Sequence, residues 1–141
     1  MHDINIVIVN YKSNEEILRC LRSLFADTKN TNFDIHVTIV DNASGDGVDL
    51  AVLNQYPDAK LKIIKHKNNL GFSRAQNSGM KNVMAKYHFV LNPDTFFSEN
   101  QRVVEKLFNF MENNEKAGII APKIIHPDGS LQTSCYRFPR F

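Results

Sequence analysis

Three short polar clusters follow apolar runs of the sequence, each at the point where a strand is predicted to end. They are Asn10-Tyr11, Asp41-Asn42 and Asn92-Pro93-Asp94. In open α/β sheets, ligands bind beyond the carboxyl ends of the strands, because the connecting loops gather there. Rigid strand backbone would hold the carboxylates of Asp41 and Asp94 in a cleft, where they can accept hydrogen bonds or meet a cation.

A structural role competes with this interpretation. Aspartate and asparagine are common turn residues that bond their own backbone, so for Asp41 alone the structural role is as well supported as the functional one. Two clusters at corresponding strand ends favour a functional site. Asp46 and Asp128 each lie beside a glycine, and there a turn is the better interpretation.

Motifs that the sequence lacks limit the classes of ligand that such a site could bind. It has neither G-x-G-x-x-G after its first strand nor G-x-x-x-x-G-K-S/T, so the usual dinucleotide and P-loop cradles are absent. A bound diphosphate would need a hard divalent cation, which takes one or two protein carboxylates, and Asp94 is the obvious ligand. The histidines lack zinc-binding spacing, and no motif indicates covalent catalysis.

The helix predicted after Gly71 adds positive potential, because helix amino termini attract anions. Arg74, Asn77 and Lys81 lie at i, i+3 and i+7 and therefore share one polar face of that helix. For Lys81, a solvated stripe is the better interpretation.

Apolar runs that alternate with helical patterns supply the elements that would position these residues. Helices are predicted after Ser13, over Val48 to Gln55, from Phe72 with a spacing that continues to Tyr87, and around Val103 to Met111. This alternation predicts one α/β domain over residues 1–141 with a mostly parallel sheet. The predicted strands are Ile4 to Val9, Ile35 to Val40, Leu61 to His66 and Phe89 to Leu91.

Three local patterns give further predictions. Ser13 and Glu16 have the spacing of a capping box at the start of the first helix. Gly118 to Ala121 indicates a short strand, and Pro127-Asp128-Gly129 indicates the turn of a small hairpin between Ile124-Ile125 and Leu131. Residues 135–141 show no periodicity and are predicted to form an irregular tail.

The composition excludes several classes of function. The 141 residues suit one packed domain, and a net charge of +2 with scattered basic residues predicts no nucleic-acid partner. No signal segment or run of about 20 apolar residues is present, which predicts a soluble protein that is not exported. Cys20 and Cys135 lack metal-ligand spacing, and Cys20 is predicted to be a small buried hydrophobe in a reducing compartment.

Together these motifs resemble the amino-terminal, donor-binding part of glycosyltransferase family 2, whose catalytic domain has the GT-A fold. They are most similar to the bacterial rhamnosyltransferase-like members, and the similarity covers essentially the whole chain. The matching stretches are Ile6-Val7-Ile8-Val9-Asn10-Tyr11, Cys20-Leu21-Arg22-Ser23-Leu24, Val40-Asp41-Asn42-Ala43-Ser44, Asn69-Leu70-Gly71-Phe72, Ala75-Gln76-Asn77-Ser78-Gly79, Leu91-Asn92-Pro93-Asp94-Thr95, Pro122-Lys123, Asp128-Gly129 and Arg137-Phe138-Pro139.

The resemblance implies roles for individual residues. Tyr11 and Asp41 would contact the base and ribose of a nucleotide diphosphate sugar. Asp94 would bind Mg²⁺ or Mn²⁺ on the diphosphate. The other donor-binding residues would be Asn10, Asn42, Gly71, Arg74, Asn77 and Asn92.

The resemblance also implies a three-layer α/β/α, Rossmann-like fold and an activity. A hexosyl-type sugar would pass from a UDP- or dTDP-sugar to an acceptor hydroxyl with inversion, in bacterial cell-envelope polysaccharide synthesis. The acceptor would be a saccharide, lipid-linked in the common family case. The expected location is cytoplasmic, with peripheral attachment at the inner face of the membrane and homo-oligomerisation left open.

The sequence departs from the family pattern in two places, and its length adds a third expectation. The D-x-D metal motif has Asn92 at its first acidic position, so we expect weaker metal binding. Many members have arginine where this chain has Gln76, and Arg74 is a candidate replacement for that charge. The family's catalytic base lies in the half that would follow Phe141, so we expect a truncated fold that lacks the acceptor half and binds donor at most.

Two other functions compete with this one. A sugar-phosphate nucleotidyltransferase would need a glycine-rich, basic loop after the first strand, and residues 10–14 do not supply it. A noncatalytic module that binds a nucleotide sugar or a partner protein would suit the short length.

Overall fold

A parallel sheet forms the centre of the fold. The computed structural model describes residues 1–45, 47–57 and 59–133, and within this part of the chain the sheet has four strands. All pairings are parallel in the order β3-β2-β1-β4, which confirms the predicted α/β class. The strands are β1 (His2–Asn10), β2 (Ile35–Asp41), β3 (Leu61–Lys65) and β4 (Ala85–Leu91).

The structure divides into two units, Met1–Arg102 and Val103–Phe141, and the assignment of the whole chain to one domain stays a prediction. The first unit holds the sheet and three helices, and the second begins with a fourth helix. Among these described helices, none combines the length and the apolar character that crossing a bilayer requires. The helices are α1 (Asn14–Thr28), α2 (Val48–Gln55), α3 (Phe72–Lys81) and α4 (Val103–Glu112).

The middle of the sheet is covered on both faces. Ile6 and Ile8 point to one face of β1 and Val7 and Val9 to the other, and all four side chains are buried. Continuous β-branched runs of this kind are typical of strands with two covered faces. Val7 and Val9 pack in one cluster with Ala75 of α3, which places α3 over that face.

Gly79 allows α3 to lie close to the sheet. A Cβ atom at this position would overlap Val7 Cγ1 and would lie 3.0 Å from Val40 Cγ2. The carbonyl oxygen of Gly79 also accepts a hydrogen bond from Asn5 Nδ2 at 3.4 Å. A side chain here would push α3 away from the strands.

The register of the sheet brings the three polar clusters to one edge. Asn10 pairs with Asp41 across β1 and β2, and Leu91 of β4 pairs with Ile8 of β1. The segment that begins at Asn92 therefore leaves the sheet within two residues of the end of β1. Because the strands are parallel, all these ends face the same way.

The fourth strand begins earlier than the sequence pattern indicates. The helical spacing predicted to continue from Phe72 to Tyr87 is wrong beyond Lys81, and β4 starts at Ala85 rather than at Phe89. Pairing with β1 supplies the physical reason. The backbone N–H of His2 donates to the Met84 carbonyl oxygen at 3.0 Å, and the parallel ladder continues from there.

Two smaller predictions are also wrong. The Ser13 hydroxyl donates to the Tyr11 carbonyl oxygen at 3.1 Å and makes no cap bond to α1, so the capping box does not form. Gly118 to Ala121 is not a strand, and Ile119 is 93% exposed there. Without a pairing partner in the described residues, this segment lacks the ladder bonds that hold a strand together.

The predicted hairpin is confirmed in a minimal form. Ile125 and Leu131 form one antiparallel bridge, and the backbone N–H of Gly129 donates to the His126 carbonyl oxygen at 2.9 Å. Gly129 has a φ of 84°, which a residue with a side chain rarely adopts. The predicted tail over residues 135–141 lies outside the described residues, as does Cys135.

Candidate functional site

A cleft of about 770 Å³ opens at the carboxyl ends of the strands. This volume lies in the range of small-molecule and cofactor sites. Five of the nine predicted site residues line it, and six further residues complete the wall. The predicted ones are Tyr11, Asn42, Gly71, Asn92 and Asp94, and the others are Val9, Ser13, Glu16, Asn69, Phe72 and Pro93.

Asn10 and Asp41 are buried behind this cleft and hold its loops together. Asn10 Nδ2 donates to Ser44 Oγ at 2.9 Å, and Ser44 N donates to Asp41 Oδ1 at 3.0 Å. Ser44 Oγ also accepts the backbone N–H of Lys12 at 3.1 Å. Asp41 is 8% exposed, so the observed bond is the turn interaction that competed with the functional interpretation.

The same bonds hold two residues in left-handed backbone conformations. Lys12, whose backbone N–H belongs to this network, has a φ of 56°, and Ala43, which directly precedes Ser44, has a φ of 65°. Each such conformation costs on the order of 1 kcal/mol and persists only where the surroundings enforce it. The loops that follow β1 and β2 are therefore fixed in shape beside the cleft.

An amide network fixes the start of α3. Asn42 is 2% exposed; its Nδ2 donates to Asn69 Oδ1 and its Oδ1 accepts the backbone N–H of Leu70, both at 2.9 Å. Asn69 Oδ1 also accepts the Gly71 backbone N–H at 2.8 Å. Asn69 was not predicted as a site residue, although its place in a family motif beside Gly71 was a usable signal.

Gly71 turns the chain into α3 and opens the helix end toward the cleft. Its φ of 78° favours glycine, and no side chain caps the helix. Gly71 and Phe72 both line the cleft, so the first-turn amides and the positive end of the helix dipole lie at its wall. Arg74 and Asn77 are exposed on α3 and do not line the cleft.

The acidic side chains of the cleft come from α1 and from the segment after β4. Asp94 is exposed there beside Asn92, and Glu16 joins them from the first turn of α1. Cys20 Sγ donates to the Asn92 carbonyl oxygen at 3.7 Å. Burial raises the pKa of the Cys20 thiol to about 12, and the negative charge of Asp94 adds to the rise. The sequence interpretation missed Glu16 because it assigned that side chain to a cap.

The donor atoms of this part of the cleft suit a hard cation. They are carboxylate and amide oxygens, which Mg²⁺ and Mn²⁺ prefer. Within residues 1–45, 47–57 and 59–133, no three histidine, cysteine or acidic side chains gather as a metal site. A cation held here would therefore take several of its ligands from water and from a bound anion.

Comparison with known proteins assigns the family. The model of glycosyl transferase family 2 matches residues 5–137. The chain belongs to glycosyltransferase family 2. A poly(ribitol-phosphate) β-N-acetylglucosaminyltransferase, TarP of Staphylococcus aureus, is 28% identical over 93% of this chain. An N-acetylglucosaminyl-diphospho-decaprenol L-rhamnosyltransferase of Mycobacterium tuberculosis is 26% identical over 95% of it, in line with the predicted rhamnosyltransferase likeness.

Solved structures confirm the GT-A fold. S. aureus TarS 1-349 in complex with UDP-GlcNAc aligns with a TM-score of 0.67 and 19% identity over 86% of this chain. The mannosyltransferase PcManGT from Pyrobaculum calidifontis, in complex with GDP-Man and Mn²⁺, aligns with a TM-score of 0.67 and 17% identity over 91% of it. The chain spans 43% and 45% of the two sequence relatives and 37% and 39% of these two structures.

Proposed function

We propose that this chain is the donor-binding part of an inverting glycosyltransferase and that its cleft holds a nucleotide diphosphate sugar. The observation that carries the proposal is the cleft itself. Its lining includes the uncapped start of α3 and, from the segment after β4, Asp94 beside Asn92. A diphosphate in this cleft would meet both the helix amides and a cation-binding carboxylate.

The nucleoside end of the donor would lie near β1. Tyr11 lines the cleft and is 45% exposed, so its ring is available to stack on a base. Asn10 and Asp41 hold the backbone on either side of this position through Ser44. A direct contact between Asp41 and the base or ribose stays a prediction, as do donor contacts of Arg74 and Asn77.

The diphosphate end would be held with Mg²⁺ or Mn²⁺. Asp94 would be the charged protein ligand, and the Asn92 amide would coordinate or hydrogen-bond beside it. When bound, the cation would supply Lewis-acid stabilisation to the departing nucleoside diphosphate. The first-turn amides of α3 would stabilise the same negative charge, and the cleft walls would fix the donor for attack by an acceptor hydroxyl. No residue of this chain is assigned as the catalytic base.

The proposed donor and acceptor follow from the substrates that the names of the relatives give. TarS was solved with UDP-GlcNAc and with UDP, which supports a UDP-sugar donor, while a dTDP-sugar suits the rhamnosyltransferase likeness. The names of two relatives specify poly(ribitol-phosphate) and a diphospho-decaprenol saccharide as acceptors. We therefore propose a cell-envelope saccharide acceptor, lipid-linked or polymeric, and action at the cytoplasmic face of the membrane.

Calorimetric titration of the 141-residue chain with UDP or dTDP in the presence of Mn²⁺ tests the proposal. Asp94→Ala should weaken nucleotide binding by about tenfold or more, because a lost charge-assisted contact is worth about 1.5–3 kcal/mol. Glu99→Ala removes an exposed carboxylate outside the cleft lining and serves as the matched control. Equal binding by Asp94→Ala and wild type would refute the assignment of the site.

A further inference from the structure

The buried side of α1 carries two side chains that can donate a hydrogen bond. Of the five buried residues of this helix, Ile17, Leu21 and Leu24 are aliphatic, whereas Cys20 and Ser23 have a polar hydrogen. Cys20 and Ser23 are three residues apart, so they lie close together on the helix surface. Both bond to the segment of residues 92–97, which follows β4.

Cys20 holds the turn that carries Asp94. The Asn92 carbonyl oxygen accepts the backbone N–H of Thr95 at 3.2 Å, which closes a four-residue turn with Pro93 second and Asp94 third. The Cys20 thiol donates to the same carbonyl oxygen at 3.7 Å. Burial raises the pKa of this thiol to about 12, so it stays protonated and remains a donor near neutral pH.

Ser23 holds the chain just beyond this turn. Its hydroxyl donates to the Cys20 carbonyl oxygen at 2.9 Å, and its oxygen accepts the backbone N–H of Phe97 at 3.2 Å. The first bond orients the hydroxyl and leaves its lone pairs for the second. Phe97 is 6% exposed, so removal of Ser23 Oγ would take a partner from a buried N–H. The segment of residues 92–97 is thus attached to α1 at both ends.

The part of the segment between these two attachments forms part of the cleft. Asn92, Pro93 and Asp94 line it. The negative charge of Asp94 adds to the raised pKa of the Cys20 thiol, so the carboxylate lies near the attachment. Groups that bind a ligand must be held in place by packed elements, because small displacements weaken their contacts. A turn fixed to a buried helix face meets this requirement.

We propose that Cys20 and Ser23 are positioning residues, which hold the segment of residues 92–97 in the shape that donor binding requires. This inference rests on the proposed function, because Asp94 is the group that they would position. Neither residue lines the cleft, so each would act through the segment and not by contact with the donor. Loss of either bond should therefore loosen the turn and weaken nucleotide binding, and the weakening should depend on Asp94.

Amide hydrogen exchange measured by NMR tests whether the two bonds hold the turn. Thr95 is the reporter, because its N–H bonds within the turn and not to the substituted side chains. Cys20→Ala and Ser23→Ala should each raise its exchange rate by about fivefold, the effect of one lost hydrogen bond. Thr28→Val is the matched control, because it removes a hydroxyl that bonds within α1, to the Leu24 carbonyl oxygen at 2.9 Å. It should change the rate by less than about twofold.

Calorimetric titration with UDP in the presence of Mn²⁺ tests whether the held shape matters for binding. Cys20→Ala and Ser23→Ala should each raise the Kd for UDP by about fivefold, and Thr28→Val should leave it unchanged. Cys20→Ser keeps a donor at this position and should restore most of the affinity. In an Asp94→Ala background, Cys20→Ala should change the Kd by less than about twofold, because the group that it positions is gone.

Three results would overturn the positioning role and leave the proposed function standing. They are an unchanged exchange rate at Thr95, faster exchange with unchanged UDP binding, and equal weakening of binding with and without Asp94. The Cys20 variants decide the matter alone if Ser23→Ala does not fold. Absence of UDP binding by wild type would instead overturn the proposed function, and the positioning role would fall with it.

Discussion

Substitution of Gly79 by alanine tests whether the contact between α3 and the sheet sets the free energy of unfolding. An added Cβ would overlap Val7 Cγ1 and would lie 3.0 Å from Val40 Cγ2. Both valines are β-branched, are fully buried and lie on the two central strands, so neither can rotate away at low cost. The helix must therefore shift, and the 3.4 Å bond from Asn5 Nδ2 to the Gly79 carbonyl oxygen would be strained with it.

Two opposing terms give the expected size of the effect. Alanine stabilises a helix interior by about 1 kcal/mol relative to glycine. Overpacking a core costs about 1–3 kcal/mol, with the upper end appropriate for two rigid neighbours, and a weakened buried hydrogen bond adds about 1 kcal/mol. We expect Gly79→Ala to lower the free energy of unfolding by about 2–3 kcal/mol, because the steric terms exceed the gain in helix propensity.

Urea unfolding monitored by circular dichroism measures this change, and a double-mutant cycle isolates its cause. Val7→Ala removes the methyl group that the new Cβ would overlap and leaves the contact with Val40, so Gly79→Ala should cost about 1 kcal/mol less in that background than in wild type. Gly118→Ala is the control, because a Cβ there meets no atom within 4 Å. A loss below about 0.5 kcal/mol, or strict additivity with Val7→Ala, would refute the steric explanation.

Two further predictions concern polar groups in and near the sheet. Burial lowers the pKa of His36 below 6.5, so the unfolded state binds protons more readily than the folded state. The contribution of His36 to the free energy of unfolding should be fully present above pH 6.5 and should be lost as the pH falls toward the lower pKa of the folded state. The urea midpoints at about pH 7.5 and about pH 5.5 should therefore differ less in His36→Gln than in wild type. Gln76 is 4% exposed, and neither its Nε2 nor its Oε1 has a hydrogen-bond partner among the described residues, so Gln76→Met should raise the free energy of unfolding by about 1 kcal/mol. A destabilised Gln76→Met variant would show that the amide has a partner in solution.

The positions where β1 and β2 end could be predicted from the sequence, because they follow from two physical rules. The β-branched runs of β1 and β2 can be buried only in the middle of a parallel sheet, and parallel strands bring Asn10 and Asp41 to the same edge. The start of β4 could not be predicted in this way. Residues near Met84 satisfy a helical spacing by coincidence, and the pairing with His2 that decides the outcome joins positions more than 80 residues apart.

The residues of the cleft also differ in how far the sequence predicts their position. Tyr11 follows β1 directly and Asp94 lies three residues after the last residue of β4, so their place in the cleft depends mainly on sheet topology. Glu16 and Asn69 enter the cleft through bonds that sequence spacing does not encode. The backbone N–H of Ser13, which a capping-box Glu16 would bind, donates instead to Asn10 Oδ1 at 3.2 Å. One side-chain oxygen that accepts two donors fixes Asn69.

The two aspartates of the strand ends thus have different physical surroundings. Asp41 is buried and bonded to the Ser44 backbone, so its charge is committed to the loop that follows β2. Asp94 is exposed in the cleft, where its charge is available to a ligand. Asn42 acts in the same way as Asp41, since its side chain also holds backbone in place, through the N–H of Leu70. The cleft therefore combines backbone fixed by Asp41 and Asn42 with the uncapped start of α3 and the exposed carboxylate of Asp94, whose charge a bound cation would neutralise.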